Sequence, residues 1–389
     1  MIYWDNNATT PVTAEVFAAM EPFLKDAYAN PSSNDAPARA VRRAIDEARQ
    51  EVALLMGASA GEIIFTSGAT ESINTTLRGM VRMNQGKHLM CVATDHPAAL
   101  LTVRELGCEG LCLPVECPVD GEGMIVKAAW DAALHDDLAG VSLTWANNET
   151  GVSQEMMTLV ESAHEAGVPV HVDGVQALGK EAMDLHQLGV EYASFSAHKL
   201  HGPKGIGALF VRSGARLPAF LYGGAQEDLR RAGTENVPGI IGFGVAARLA
   251  RENFAIHNQH MRQQTERFES ALKAQLPGVR VLSEHAPRVV NTSNILFEGC
   301  TAQALMLLLA SDGMVCSAGS ACKTASPAPS HVLTAMGLSD AEARACVRFS
   351  RSMMTTDDEV EMAVQLVIAA VRKVRSVQST HTGPVIIYR

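Results

Sequence analysis

Residues 315–325 read "VCSAGSACKTA" and set Cys322 among Gly, Ala and Ser, with Lys323 beside it. A structural thiol behaves as a small hydrophobe and is usually found among Leu, Ile and Val. Small residues suggest a mobile, irregular segment, and a neighbouring positive charge favours thiolate, the nucleophilic form of cysteine. The plainer reading is a loop cysteine of no consequence, and this stretch by itself does not choose between the two.

Further candidates stand just past apolar runs that read as strands. "EIIFT" is followed by Ser67-Gly68-Ala69-Thr70 at a helix start, where free N–H groups and the helix dipole suit a phosphate. "VPVHV" leads into Asp173, with Gln176 three residues on, and "YASF" leads into "SAHKLHGPKGIG", which carries Lys199. A carboxylate and a lysine on successive strand ends are what pyridoxal phosphate requires. The carboxylate keeps the pyridine nitrogen protonated, and the lysine holds the aldehyde as a Schiff base. His96, after "LMCVATD", is an imidazole able to stack on such a ring and move protons. Taken singly, each has an ordinary alternative: an N-cap, a solvated lysine, a structural histidine.

The elements that must position these residues alternate between helix and strand. "AVRRAIDEARQEVALLMG" carries Val41, Ile45, Ala48, Val52 and Leu55 at steps of four and three, the stripe of an amphipathic helix ending at Gly57. "EIIFT", "HLMCVAT", "GVSLTWA", "VPVHVD" and "YASFSA" read as buried strands separated by helical crossovers, which implies a parallel-rich α/β sheet. After about residue 235 the pattern changes. One long helical stretch runs from "PGIIGFGVAARLA" to "ALKAQL", followed by "VVNTSNILF", "AQALMLLLA", the cysteine loop and a last helix "DDEVEMAVQLVIAAVRKV". This reads as a smaller α+β domain, and "STHTGPVIIYR" as a tail.

Composition sets the limits. The 389 residues are 47% hydrophobic and 19% charged, enough core for about two domains and too few charges for a disordered chain. A formal charge of −10 argues against unassisted nucleic-acid binding. No apolar run reaches the ~18 residues that suggest a membrane span, and "MIYWDNNATT" lacks the features of a signal peptide, so a cytoplasmic protein is expected. Eight cysteines in such a chain are expected to be reduced. Cys108, Cys112 and Cys117 match no usual metal spacing, and no metal is expected.

"YWDNNATTP", "NPSS", "FTSGATES", "WANNETG", "HVDGVQ", "SAHKLHGPKG", "RRAGTEN" and "SAGSAC" occur in the order found in NifS/IscS-type cysteine desulfurases, over Tyr3 to about Thr356. The longer "SAGSAC" loop resembles the first group of these enzymes rather than the SufS-like second group. The resemblance implies a fold-type I, pyridoxal 5'-phosphate-dependent homodimer of the class V aminotransferase family, with a mainly parallel seven-stranded sheet. Its large domain would span 14–255. The small domain, built from 1–13 and 256–389, would carry the cysteine loop.

Under the same resemblance, Lys199 is the Schiff-base lysine, Asp173 faces the ring nitrogen, Gln176 lies near the phenolic oxygen and His96 stacks on the ring. Ala69, Thr70, Ser196 and His198 would hold the phosphate, joined by Thr234 of the other subunit. Asn148 and Arg348 would bind the substrate carboxylate, a role that suits a guanidinium. L-cysteine would become L-alanine, leaving a persulfide on Cys322 for a sulfur acceptor such as an iron–sulfur scaffold. A selenocysteine lyase on this fold, or a non-enzymatic sulfur relay, are the rival readings. Three residues depart from the family pattern: Asp35 where His is common, Ala232 where Ser precedes "GTEN", and Ala225 where Gly is common. They put dimer contacts and the acceptor surface in question before the chemistry.

Overall fold

In the chain's computed structural model, residues 1–84, 87–319 and 328–380 are described. Cys322 and Lys323 lie outside the described residues, as does everything beyond Thr380.

The described strands, in chain order, are β1 (Ile2–Tyr3), β2 (Ile63–Thr66), β3 (His88–Val92), β4 (Leu113–Cys117), β5 (Leu138–Thr144), β6 (Val170–Asp173), β7 (Tyr192–Ser196), β8 (Gly207–Val211), β9 (Val279–Val281), β10 (Thr292–Phe297), β11 (Met314–Val315) and β12 (Cys346–Ser350). Seven form one sheet in the order β2-β8-β7-β6-β5-β3-β4. From β4 through β3, β5 and β6 to β7 the pairing is parallel. β8 runs antiparallel to both β7 and β2, so β2 points the same way as the parallel set. The residues of β5, β6 and β7 are almost all buried, which is why they read as continuous apolar runs rather than alternations. Pro114 is tolerated in β4 because that strand lies at the sheet edge.

The helices are set by local signals. α1 (Ala14–Lys25) starts at Thr13, whose side chain accepts from Val16 N. α2 (Ala36–Met56) buries Val41, Ile45, Ala48, Val52 and Leu55 as its spacing predicts, and is capped at its end by Gly57. Its N-cap is Asp35, whose Oδ1 accepts from Ala38 N at 2.8 Å. The departure at position 35 therefore has a local structural role. α3 (Ala69–Met83) and α4 (Pro97–Cys108) follow β2 and β3 directly.

Two details differ from the expectation. The long helical stretch is two helices, Val237–Glu252 and Phe254–Gln275, broken at Asn253. The Asn253 side chain donates to Leu249 O at 2.9 Å, a local bond that competes with helix continuation. The last helix, Asp357–Thr380, takes in Ser379 and Thr380, which the sequence placed in the tail.

The large sheet is covered by two apolar clusters. A third cluster joins Ile2 and Trp4 to Phe268, Phe297, Phe349 and the face of the last helix. β1 pairs with β11, while β9, β10 and β12 form a separate antiparallel sheet. The chain's first residues thus pack with its last third.

The loop Gly223–Leu229 is unusual. Glu227, Asp228 and Leu229 take φ of 50°, 56° and 65°, three successive non-glycine residues in the left-handed region. Such a run costs about 1–2 kcal/mol per residue. It is offset by a paired clamp, in which Arg49 of α2 donates to both Glu227 carboxylate oxygens at 2.7 and 2.8 Å while Phe65 N of β2 donates to one of them.

Candidate active site

Because β2, β3, β5, β6 and β7 point the same way, their C-terminal ends lie along one edge, where open α/β sheets bind ligands. That edge gathers the Ser67–Thr70 turn, His96, Asn148, Asp173 with Gln176, and Ser196 with His198 and Lys199. The phosphate-type cradle forms where β2, β7 and β8 meet. A Cβ on Gly207 would come within 2.5 Å of Phe195 O and 2.6 Å of Gly68 Cα, so only glycine lets the turn before α3 approach this closely. Ser196 Oγ accepts from Ala69 N at 2.8 Å. Ala69 and Ser196 are buried, whereas Thr70 is exposed at the start of α3.

Asp173 is buried at the end of β6, and its Oδ1 accepts from Val175 N at 3.0 Å. Burial pushes its carboxyl up to about 6, against the pull of the Val175 N–H and the Lys199 charge. A buried carboxyl so raised would be relieved by a cationic N–H placed opposite it. Below it, His171 bridges Ser142 Oγ (2.9 Å) and Ser194 Oγ (2.8 Å), and burial lowers that imidazole to about 3. The strands under the site are thereby cross-linked by a neutral ring.

His96 caps α4: its Nδ1 accepts from Ala98 N at 3.1 Å, which leaves the proton of the neutral ring on Nε2. Burial, then the charges of Lys199 and His331, lower it to about 4. Next to it, Asp95 ties β3 to β5 by accepting from Val92 N and Thr144 N, each at 2.9 Å. His198 sits on Thr9 Oγ1 at 3.1 Å and is likewise lowered to about 4, first by burial and then by Lys199. Lys199 donates to the carbonyls of Asn7 and, at 2.7 Å, Ala8. Gln176 donates from Nε2 to the same Asn7 carbonyl at 3.0 Å.

The other wall comes from the small antiparallel sheet. Arg348 on β12 is 1% exposed, with Val347 and Phe349 packed inward on either side. Its Nη1 donates to Asn148 O at 2.9 Å and its Nη2 to Asp5 Oδ1 at 2.5 Å. Nε has no partner. The resemblance implied that Arg348 binds the substrate carboxylate; here its guanidinium holds a carboxylate of the chain itself, that of Asp5.

Thr234 is exposed in a segment tethered to α3 by Arg231, which pairs with Glu71 at 2.9 Å. Cys316 is half-buried at the end of β11, and burial pushes its thiol up to about 12. Cys108 is exposed at the end of α4, while Cys112 and Cys117 are buried.

Asp5, Asn7, Lys180 and His331 had no assigned role in the sequence reading. Asp5 and Asn7 lie within the quoted "YWDNNATTP", and that was the one available signal. Asn7 binds Asn148 O, Thr292 Oγ1 and Asn291, joining the N-terminal segment to both walls.

The donor set fits pyridoxal phosphate: a helix-start cradle, a raised buried carboxyl, a neutral imidazole and an amine on adjoining strand ends. Comparison with known proteins agrees. A family model described as Aminotransferase class-V matches residues 2–362. A cysteine desulfurase of Sinorhizobium fredii (strain NBRC 101917 / NGR234) is 40% identical over 384 residues, which covers 98% of this chain and 99% of that protein. A solved NifS-like protein superposes with a TM-score of 0.88 at 32% identity, over 97% of this chain and 99% of the other. The structure described as SspA in complex with cysteine gives 0.81 at 32% identity, over 92% and 100%.

Proposed function

Because the chain belongs to the aminotransferase class-V family, we propose that it is a cysteine desulfurase that takes sulfur from L-cysteine and releases L-alanine. The observation carrying this reading is the meeting of Asp173, Lys199 and His96 at one sheet edge, opposite Arg348. Pyridoxal phosphate, when bound, supplies an electron sink for the substrate's α-carbon.

This chain's residues supply the rest. Ala69, Thr70, Ser196 and His198 would hold the phosphate, with Thr234 of a second copy completing the cradle in a homodimer. Asp173 would pair with the ring nitrogen, Gln176 would donate to the phenolic oxygen, and the His96 ring, with its mobile proton on Nε2, would stack on the cofactor. Lys199 would anchor the cofactor aldehyde and move the substrate's α-proton. Arg348 and Asn148 take the substrate carboxylate, which requires Asp5 to yield its place on the guanidinium. The Cys322 thiolate attacks the substrate sulfur. The carbon–sulfur bond breaks, its electron pair stays on the carbon skeleton, and that carbon takes up a proton as alanine forms. One cysteine and one enzyme thiol give one alanine and one persulfide, which passes to a sulfur-acceptor protein. The division into a large unit at 14–255 and a small one at 1–13 and 256–389 is supported by the third apolar cluster, which draws only on the small unit, while the first cluster also takes in Leu282, Val332 and Cys346 of the small one.

Borohydride reduction of the holoenzyme should fix the cofactor to the peptide carrying Lys199. After brief exposure to cysteine, mass spectrometry should find one added sulfur on Cys322. Cys322→Ser should keep the cofactor but lose alanine formation, whereas Cys316→Ser should stay active. An added sulfur on Cys316, or the cofactor on Lys204, would overturn the assignment.

A further inference from the structure

We propose that Glu149 is a positioning residue for sulfur transfer. Its buried carboxylate ties Gly319 to Ser330, which stand on either side of the segment that carries Cys322, and it does so beside Asn148 and Arg348. This rests on the reading of Cys322 as the thiol that takes the sulfur, and it concerns a residue to which that reading gives no task.

The two sides belong to different walls. Upstream, Ser317 pairs with β12: its N–H donates to Arg348 O at 3.1 Å, and Arg348 N donates to Ser317 O at 2.7 Å. Gly319 follows with φ of 70°, and a Cβ there would lie 3.2 Å from Glu149 Oε2 and 3.4 Å from Ser330 Cβ. Glycine allows this approach in the left-handed region. Downstream, Ser330 caps the short helix His331–Ala335. Its Oγ accepts from Leu333 N at 3.3 Å, and its single proton goes to Glu149 Oε2 at 2.5 Å. His331 Nε2 donates to Asp95 O at 3.0 Å, which sets the same turn beside His96. Val332, Leu333 and Met336 then pack into the first apolar cluster, with the large sheet.

The backbone of Glu149 is fixed independently of its side chain. Its N–H donates to Asn147 Oδ1 at 2.9 Å, and its carbonyl accepts from Asn294 Nδ2 at 3.1 Å. Neither bond uses the carboxylate, so the adjoining Asn148 keeps its place without it. Glu149 is 1% exposed and forms no ion pair among the described residues. Burying a carboxylate on one hydroxyl donor costs free energy that a neutral side chain would not. The tie gives that charge a use. A hydrogen bond to a charged acceptor is shorter and about twice as strong as a neutral one. The carboxylate therefore holds Ser330, anchored on the large sheet, close against Gly319, which follows the strand pairing at Arg348. The two sides of the cysteine segment are kept at one separation, next to the residues proposed to hold the substrate.

Two measurements on the holoenzyme test this. In a single turnover with cysteine, Glu149→Ala should form the Cys322 persulfide about tenfold more slowly, the worth of one hydrogen bond to a charged group, while KM and cofactor content stay within about twofold of wild type. Glu149→Gln keeps an acceptor for Ser330 Oγ and should lose only about threefold. Amide hydrogen exchange, read by peptide mass spectrometry, should quicken in Glu149→Ala at 315–319 and 328–336 and stay unchanged along β5 and β6. A Glu149→Ala persulfide rate within about twofold of wild type, a KM that rises as far as the rate falls, or unchanged exchange on both sides of the segment overturns the proposal. So does a Glu149→Gln enzyme as slow as Glu149→Ala, which would make the charge rather than the tie the cause. A wild-type enzyme that gains no sulfur on Cys322 overturns the proposed function instead, and the exchange measurement then decides the tie by itself.

Discussion

Arg348 and Arg351 lie three residues apart and are almost equally buried, yet they are held in opposite ways. Arg351 makes its hydrogen bonds to neutral groups, with the opposed charges of Glu269 and Arg288 acting on it beyond them. It donates to Thr265 Oγ1 at 3.1 Å and Ser293 Oγ at 2.7 Å, and stands over the rings of Trp4 and Phe268 at 5.0 and 5.4 Å. Arg348 is bound by a carboxylate, Asp5, whose side chain is 15% exposed. A guanidinium among neutral partners and aromatic faces has nothing to exchange, and serves packing. One held by a partly exposed carboxylate can trade that carboxylate for another. The same contrast separates the large-sheet edge, fixed mainly by backbone and neutral side-chain bonds, from the substrate wall, fixed by an exchangeable ion pair.

The largest effect that would break this comparison is at Arg348. Arg348→Gln should lower kcat/KM for cysteine by about 100-fold, the worth of charged hydrogen bonds to a carboxylate. It should also cost about 3 kcal/mol in a urea melt, because Asp5 is left without its counter-charge. An unchanged KM would move the carboxylate site elsewhere. Arg351→Gln should cost a similar ~3 kcal/mol through lost burial and hydrogen bonds while leaving KM within about twofold. A KM that rose as for Arg348→Gln would erase the distinction.

Asp5→Asn sharpens it on a smaller scale. If Asp5 competes with substrate for the guanidinium, the neutral amide should lower KM by about threefold, the size of a partly exposed ion pair. A raised KM would mean that Asp5 orients Arg348 rather than competing for it. The smallest effect concerns the cross-linked strands under the large-sheet edge. His171 is lowered to about 3 in the folded chain, against an unfolded value near 6.5. Between those values the unfolded chain binds the extra proton, so this contribution is complete above about 6.5 and lost as pH falls toward 3. The Tm gap between wild type and His171→Asn should narrow on acidification through that window. A constant gap would show that the ring is not seated neutral.

The large-sheet edge was legible in the sequence because each of its residues follows its own apolar strand, so position on the strand places the side chain. "VPVHVD" and "YASFSA" put Asp173 and Lys199 side by side through local pattern alone. β8 escaped notice because "GALFV" follows a glycine-rich turn and pairs antiparallel, outside the strand–helix rhythm. The substrate wall was half legible. Arg348 could be named, but its partner Asp5 lies 343 residues away, a distance over which no periodicity carries information. Lys180 drew no reading because no strand leads into it, and only its bond to Gln176 Oε1 at 2.9 Å shows where its amine ends.

The pairing of Asp5 with Arg348 also bears on the chain as it is made. Synthesis proceeds from the N-terminus at roughly 5–20 residues per second, so about 20–70 s separate the appearance of residue 5 from that of residue 348. Throughout that interval Trp4 lacks Phe349, and Asp5 lacks the guanidinium that will hold it. The large sheet can pair its strands as they emerge, but the N-terminal segment has to wait for nearly the whole chain. A nascent or truncated product could therefore bring the lysine edge together and still have no substrate wall. The capacity to extract sulfur would arrive only with the last stretch of the polypeptide.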